Sequence, residues 1–374
     1  MRLWYILMTI TLAATGIALV YLGWRIGKFS FIAKISKNDK RKQTSYGFLI
    51  VSLLFALFSC FINLMNTIIC LIYFAGIWFL CDLLFYIITK IRRKSFAKYW
   101  AGILAVIINI MFFGYGWYAA HNVWRTEYNL ATLKNIASIK IVMFADSHIG
   151  TTFDAQGFAK HTAKMQAENP DLLVVVGDFV DDDTNRENMI KASENLGKIK
   201  TKYGIYFVFG NHDKGYYTSE RRGYTAQELV AELEKNNINV LFDETIKIND
   251  NFYLIGRQDA SLEKIGGKRK SMADLMKNTE DEAYTLVLDH QPTDFKNQAA
   301  AGVDLVLSGH THGGQLFPFN KVGEWIGAND LVYGYEKRKS TDFIVTSGIS
   351  DWAIKFKTGT KSEYVIININ SIYK

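Results

Sequence analysis

The residues of this 374-residue chain that could do chemistry sit in short clusters, each at the end of an apolar run. Asp146-Ser147-His148 follows the run Ile139–Ala145, and Gly177-Asp178-Phe179-Val180-Asp181 follows Asp171–Val176. Gly210-Asn211-His212-Asp213 follows Ile205–Phe209, and Asp289-His290-Gln291-Pro292 follows Tyr284–Leu288. Gly309-His310-Thr311-His312 follows Val303–Leu307. A His-x-His pair alone reads as readily as two polar turn residues as it does two metal ligands. Yet five of the seven histidines fall in these clusters, and only His121 and His161 do not. The clusters offer carboxylate, imidazole and amide donors with no thiolate, a set suited to Mn, Fe or Zn rather than to Mg or Ca. They outnumber one tetrahedral shell, which favours two metals, and a carboxylate can bridge cations about 3.5–4 Å apart. Such a pair activates water and neutralises charge on a phosphoryl group during in-line attack, which is phosphoester hydrolysis. Asp181 and Asp213 keep two readings, a part in the chemistry or backbone capping in their turns.

Positioning such groups requires strands that end together. The apolar runs, with a sixth at Phe343–Thr346, are short, continuous and rich in β-branched residues, as expected of strands buried on both faces. Thr184-x-x-Glu187, Thr225-x-x-Glu228 and Ser271-x-x-Asp274 mark helix starts between them as capping boxes or their relatives. The pattern predicts a layered α/β domain over residues 139–374, with ligands bound beyond the carboxyl ends of its strands. Residues 121–138 read as a connector.

The first third is different in kind. Residues 1–120 hold 13 Lys and Arg against two acids, Asp39 and Asp82, while the remainder holds 30 basic residues against 34 acidic. The basicity belongs to the first third alone, and the acidic remainder gives no electrostatic footprint for nucleic acid. All three cysteines, Cys60, Cys70 and Cys81, lie in the first third, so they leave the redox compartment open. Apolar stretches at about 3–24, 47–65, 67–89 and 99–119 are long enough to cross the ~30 Å hydrocarbon core. Aromatic residues gather at their ends, at Trp4 and Tyr5, Tyr21 and Trp24, Tyr99 and Trp100, Trp117 and Tyr118. A cleaved signal peptide fits the first stretch less well, because its apolar core is too long and only Arg2 precedes it. Basic residues crowd the loop after the first span and the loop after the third, which predicts a multi-pass protein of the cell (inner) membrane. The rest of the chain then lies on the extracytoplasmic side. Asp82, inside the third span, is either functional or near the Lys90–Lys94 cluster at that span's basic end.

The series Asp-x-His, Gly-Asp-x-x-Asp, Gly-Asn-His-Asp, a lone His and Gly-His-Thr-His resembles the calcineurin-like metallophosphoesterase superfamily. Ile255-Gly256-Arg257-Gln258-Asp259, Leu288-Asp289-His290-Gln291-Pro292 and the Gly-Gly-Gln-Leu-Phe-Pro-Phe run at 313–319 are similar to its bacterial membrane-anchored branch. The resemblance covers essentially residues 139–369 and implies a four-layer αββα sandwich. It further implies one metal held by Asp146, His148, Asp178 and His312, and a second held by Asp178, Asn211, His290 and His310. His212 would then stabilise or protonate the leaving oxygen as a catalytic residue, with Asp213 beside it to orient it or raise its pKa, and Gly313 and Gly314 would keep side chains away from the phosphate. Ser147 and the stretch Asp351–Lys357 depart from the pattern, which bears on substrate contacts rather than on metal ligands.

The function this implies is a membrane-anchored, two-metal phosphoesterase acting on a phosphodiester or pyrophosphate. A lipid-linked substrate suits the tether and the aromatic residues Phe317, Phe319, Trp325 and Trp352, unless these belong to the core or to a membrane interface. Arg221, Arg222 and Arg257 are candidates for phosphate binding or ordinary surface arginines. The alternatives are a nonspecific phosphomonoesterase or nucleotide phosphodiesterase, and a membrane sensor or transport module with a vestigial hydrolase.

Overall fold

The computed structural model describes residues 2–372 and divides into two compact units, residues 1–115 with 353–355, and residues 116–352 with 356–374. The first unit is helical: α1 (Arg2–Ile26), α2 (Ser30–Ile35), α3 (Lys40–Ile62), α4 (Leu64–Arg92) and most of α5 (Trp100–His121). Helices α1, α3, α4 and α5 are long and apolar enough to cross a membrane. Asn63, at φ 69°, ends α3 and caps α4 by accepting the Asn66 N–H, so the expected turn between the second and third spans is a single residue. Trp4, named above at the end of the first span, lies outside the described side chains. Helices α1 and α3 touch through glycine: a Cβ on Gly47 would stand 2.0 Å from the Gly23 carbonyl oxygen. Small residues permit such close approach where lipid offers no hydrophobic drive. Asp82 does not pair with the Lys90–Lys94 cluster. Its carboxylate meets Arg25 Nε at 2.7 Å and accepts the Tyr21 and Tyr99 hydroxyls, tying α1 and α5 to α4.

The second unit is built on two six-stranded sheets. The first runs β1 (Val123–Thr132), β12 (Ser362–Ser371), β2 (Ile139–Phe144), β3 (Leu172–Val176), β4 (Ile205–Val208), β5 (Ile238–Leu241). The second runs β10 (Gly334–Arg338), β11 (Thr341–Val345), β9 (Leu305–Ser308), β8 (Tyr284–Leu288), β7 (Phe252–Gly256), β6 (Glu244–Asn249). Strands β2 to β5 are mutually parallel, as are β7, β8, β9 and β11. Alternation along each strand explains the layering. Ile141 and Met143 of β2, with Val174 and Val208, pack against Leu254, Leu286 and Leu307 of the other sheet. Val142 and Phe144 turn the other way, onto Phe158 and Met165 of α6 (Ala155–Ala167), Leu196 of α7 (Arg186–Gly197) and Leu233 of α9 (Ala226–Lys235). On the far side, Val287, Val306 and Phe343 meet helices α11 (Met272–Met276) and α12 (Phe295–Ala300). The result is the four-layer αββα sandwich.

Two expectations need correcting. Residues 121–138 are not a plain connector, because β1 pairs in parallel with β12 over ten residues. Its side chains alternate between half-buried and exposed, as an edge strand's do. Thr184 does not cap α7: Asn185 does, while the Thr184 hydroxyl donates to the Ile149 carbonyl. The Thr225–Glu228 capping box is present at α9, and Ser271 caps α11.

Candidate metal centre

Strands β2, β3, β4, β8 and β9 deliver the five clusters to one edge of the sandwich. The turns after β2, β3 and β9 reverse sharply, and the backbone shows it. Asp146, His148, Asp178, His310 and His312 all have φ between 37° and 71°. Left-handed backbone at five non-glycine residues costs energy, of order 1 kcal/mol each, that the surrounding structure must supply.

The side chains gather in two groups. Asp146, His148 and His312 form one, and Asp178, His290 and His310 the other; within each, one donor atom per residue lies within 4.8 Å of the rest. Asp178 stands between them, one oxygen 3.1 Å from His290 Nε2 and 3.8 Å from His148 Nε2. The remaining ring nitrogens fix the tautomers. His290 Nδ1 contacts the Val176 carbonyl at 2.8 Å and His312 Nδ1 the Ser350 carbonyl at 3.2 Å, while His148 Nδ1 faces the Asp181 carboxylate at 3.3 Å without a hydrogen bond. Partners of this kind turn Nε2 toward a cation and raise its basicity. One Asp181 oxygen faces His148, and the other caps the turn by accepting the Asp183 N–H.

The residues present fit a pair of metals. Asn211 Oδ1 and His148 Nε2 are buried without a hydrogen-bond partner, which is costly unless a cation takes the lone pair. The Asn211 amide nitrogen is already spent on the Tyr216 hydroxyl at 2.8 Å. Electrostatics agree. Burial would raise the Asp178 carboxyl, yet the imidazoles of His290, His148 and His212 hold it well below the usual carboxylate range. Burial pushes His310 down to about 4 and His312 well down, the neutral forms that bind metal. His290 goes the other way: burial lowers it, but the Asp178 carboxylate beside it raises it well above the usual imidazole range.

His212 joins neither group. Its backbone N–H bonds Asp178 Oδ1 at 2.8 Å, and its buried ring stands 4.7 Å from that of Trp352, 5.0 Å from Tyr216 and 5.1 Å from His148. Asp213 does not reach the His212 ring as expected. Its two oxygens accept the backbone N–H groups of Asp178, Phe179, Val180 and Gly210, which hold the turns that carry Asp178 and Asn211. Gly210 is required by close approach, since a Cβ there would stand 2.1 Å from Asp178 Oδ1. Gly313 and Gly314 play no such part toward a ligand; a Cβ on them would strike Thr360 and the Asn320 backbone.

The three arginines are committed elsewhere. Arg257 pairs with Asp289 and Asp294, buried Arg222 donates to the carbonyls of Asp213, Lys214 and Tyr224, and Arg221 pairs with Asp183. Sequence reading missed Tyr216. Its position five residues after Asn211 is a clue only once that loop is known to fold back.

Two mixed sheets in a four-layer sandwich thus carry two carboxylate–imidazole groups at their strand ends that could each hold a metal ion. Residues 139–314 match the calcineurin-like phosphoesterase family. An uncharacterized metallophosphoesterase of Campylobacter jejuni is 29% identical over 233 residues, 62% of this chain and 59% of the relative. A Danio rerio transmembrane protein with metallophosphoesterase domain is 30% identical over 241 residues, 62% of this chain and 53% of the relative. The chain therefore spans little more than half the length of these relatives. A solved dimetal phosphatase from Danio rerio is 12% identical with a TM-score of 0.36, covering 55% of this chain and 86% of its own.

Proposed function

We propose that this chain is a membrane-anchored phosphoesterase that hydrolyses a phosphodiester or pyrophosphate, lipid-linked, at a two-metal centre on the extracytoplasmic side. The observation that carries the reading is Asp178 standing between two complete ligand groups, with Asn211 Oδ1 left unpaired beside them. Divalent cations there, Mn, Fe or Zn by the donor set, would lower the pKa of a water and neutralise charge on the phosphoryl group. The chain's own residues do the rest. Asp146, His148, Asp178 and His312 hold one position, and Asp178, Asn211, His290 and His310 the other. His212, buried beside both and free of ligand duty, gives its proton to the leaving oxygen. Trp352 and Tyr216 flank that ring.

Two features favour an apolar moiety on the substrate. A cavity of about 420 Å³, lined by Phe209, Val230, Phe242 and Leu262, borders Gly210 and Asp259. The segment after His312 exposes Phe317, Phe319, Trp325 and Ile326, each by more than half its surface, so these are not core residues.

The test is hydrolysis by the full chain in detergent of a lipid pyrophosphate, bis-p-nitrophenyl phosphate and p-nitrophenyl phosphate, with Mn, Fe or Zn. His212→Ala should lower turnover of the diesters about 10²–10⁴-fold while two metals stay bound. Preference for the monoester would select the phosphomonoesterase reading. Failure of every substrate with both metals bound would leave the sensor reading.

A further inference from the structure

A second built cavity lies in the helical unit, apart from the metal centre and independent of what that centre hydrolyses. Where α1, α4 and α5 meet near Asp82, a cavity of about 490 Å³ is walled by Arg25, Lys28 and Lys98 together with Tyr86, Tyr99 and Trp100. That volume falls in the range of ligand pockets. The charges on its wall do not balance. Asp82 is the one carboxylate there, and it already holds Arg25 Nε and accepts the Tyr21 and Tyr99 hydroxyls. Tyr99 is itself fixed by accepting the Trp78 indole N–H at 2.8 Å.

The only other acid in residues 1–120 is Asp39, whose carboxylate caps α3 by accepting the N–H groups of Arg41 and Lys42. Lys28 and Lys98 thus have no acid within the helical unit to pair with. Lys28 Nζ instead stands 4.3 Å from the Trp24 ring and 5.7 Å from the Tyr99 ring. Three cations line this cavity beside one committed carboxylate, and Lys28 and Lys98 are exposed at its mouth, where their positive charge attracts an anion. Trp100 and Ala101 in the wall open α5, whose first amides carry the positive end of the helix dipole.

We infer that this cavity binds a phosphate-bearing anion, with the phosphate between Arg25, Lys28 and Lys98. A phospholipid headgroup and free inorganic phosphate present the same chemistry. Basic pockets between spans hold anionic headgroups, and amphipathic rings such as those of Tyr86 and Trp100 sit at headgroup level.

The experiment compares the full chain with Lys28→Gln/Lys98→Gln, which leaves Arg25 and its Asp82 pair in place. A control, Lys34→Gln/Lys37→Gln, removes the same charge from residues that do not line the cavity. Native mass spectrometry of protein released from phosphatidylcholine nanodiscs doped with phosphatidylglycerol reads headgroup retention. Equilibrium dialysis of the chelated protein against labelled inorganic phosphate in neutral detergent reads the free anion. The inference predicts about tenfold or greater loss in the cavity variant relative to the control, in at least one arm. Loss in the lipid arm alone names the headgroup as occupant, and loss in the dialysis arm names the free anion. Equal retention by the cavity variant and the control in both arms would overturn it.

Discussion

Asp213→Asn separates two accounts of a residue that stands next to the proposed acid. Asp213 accepts four backbone N–H groups, two on each oxygen, from Asp178, Phe179, Val180 and Gly210. Replacing one oxygen by an amide nitrogen removes two of those hydrogen bonds and sets an N–H group against two buried N–H donors. Each buried donor left unmatched costs about 1–3 kcal/mol, so the loss is about 2–6 kcal/mol. For a domain of this size that is a fall in melting temperature of about 4–24 °C, read by differential scanning fluorimetry of the full chain in detergent. Metal content should fall with it, because the loosened turns carry Asp178 and Asn211. If Asp213 instead acted only on His212, turnover would drop with melting temperature and metal content unchanged. A variant melting within about 1 °C of the parent with its metals intact would refute the clamp.

Three further outcomes follow from the same geometry. Gly210→Ala would put a Cβ 2.1 Å from Asp178 Oδ1 and should cut bound metal below half, whereas Gly76→Ala, which meets nothing within 4 Å, should leave it unchanged; elemental analysis decides. His161, against the Phe153 ring, is pushed down to about 4 by burial, with Lys164 and Lys160 adding to it. Its neutral form is the one the fold accepts, so its stabilisation is present above about 6.5 and is lost as pH falls toward 4. His161→Phe should therefore gain in melting temperature relative to the parent between pH 7.5 and pH 5; an unchanged difference would show that His161 does not carry this acid sensitivity. Removing metal with a chelator at neutral pH should lower the melting temperature reversibly, since the two groups bind cations only when folded; a chelator-insensitive melt would count against metal binding.

The chemistry was legible because it constrains residue type where the chain has little freedom. A parallel strand must end in a turn, and Asp146, Asp178, Asn211, His290 and His310 each occupy such an end. The edges were not legible. In β1, Val123-Trp124-Arg125-Thr126-Glu127 interleaves charge with apolar residues, since only one face of an edge strand is covered. The other edge strands, β5, β6 and β10, were missed for a related reason, and the interior strands β7 and β12 were missed as well. Roles set by tertiary contact were hidden as well. Asp213 spends its carboxylate mainly on amides 33 to 35 residues earlier, and Arg222 lies buried under carbonyls of its own loop. Asp82 finds its partner 57 positions back on α1 rather than in the basic cluster a few turns away.

Everything said of the chemistry depends on Asp178 serving both metal positions. Its most direct test is metal stoichiometry of the purified full chain by inductively coupled plasma mass spectrometry, for the parent and for Asp178→Ala. The account predicts about two divalent ions per parent chain and nearly none in the variant, since each group loses its shared ligand. One ion or none in the parent, or full retention by Asp178→Ala, would contradict it.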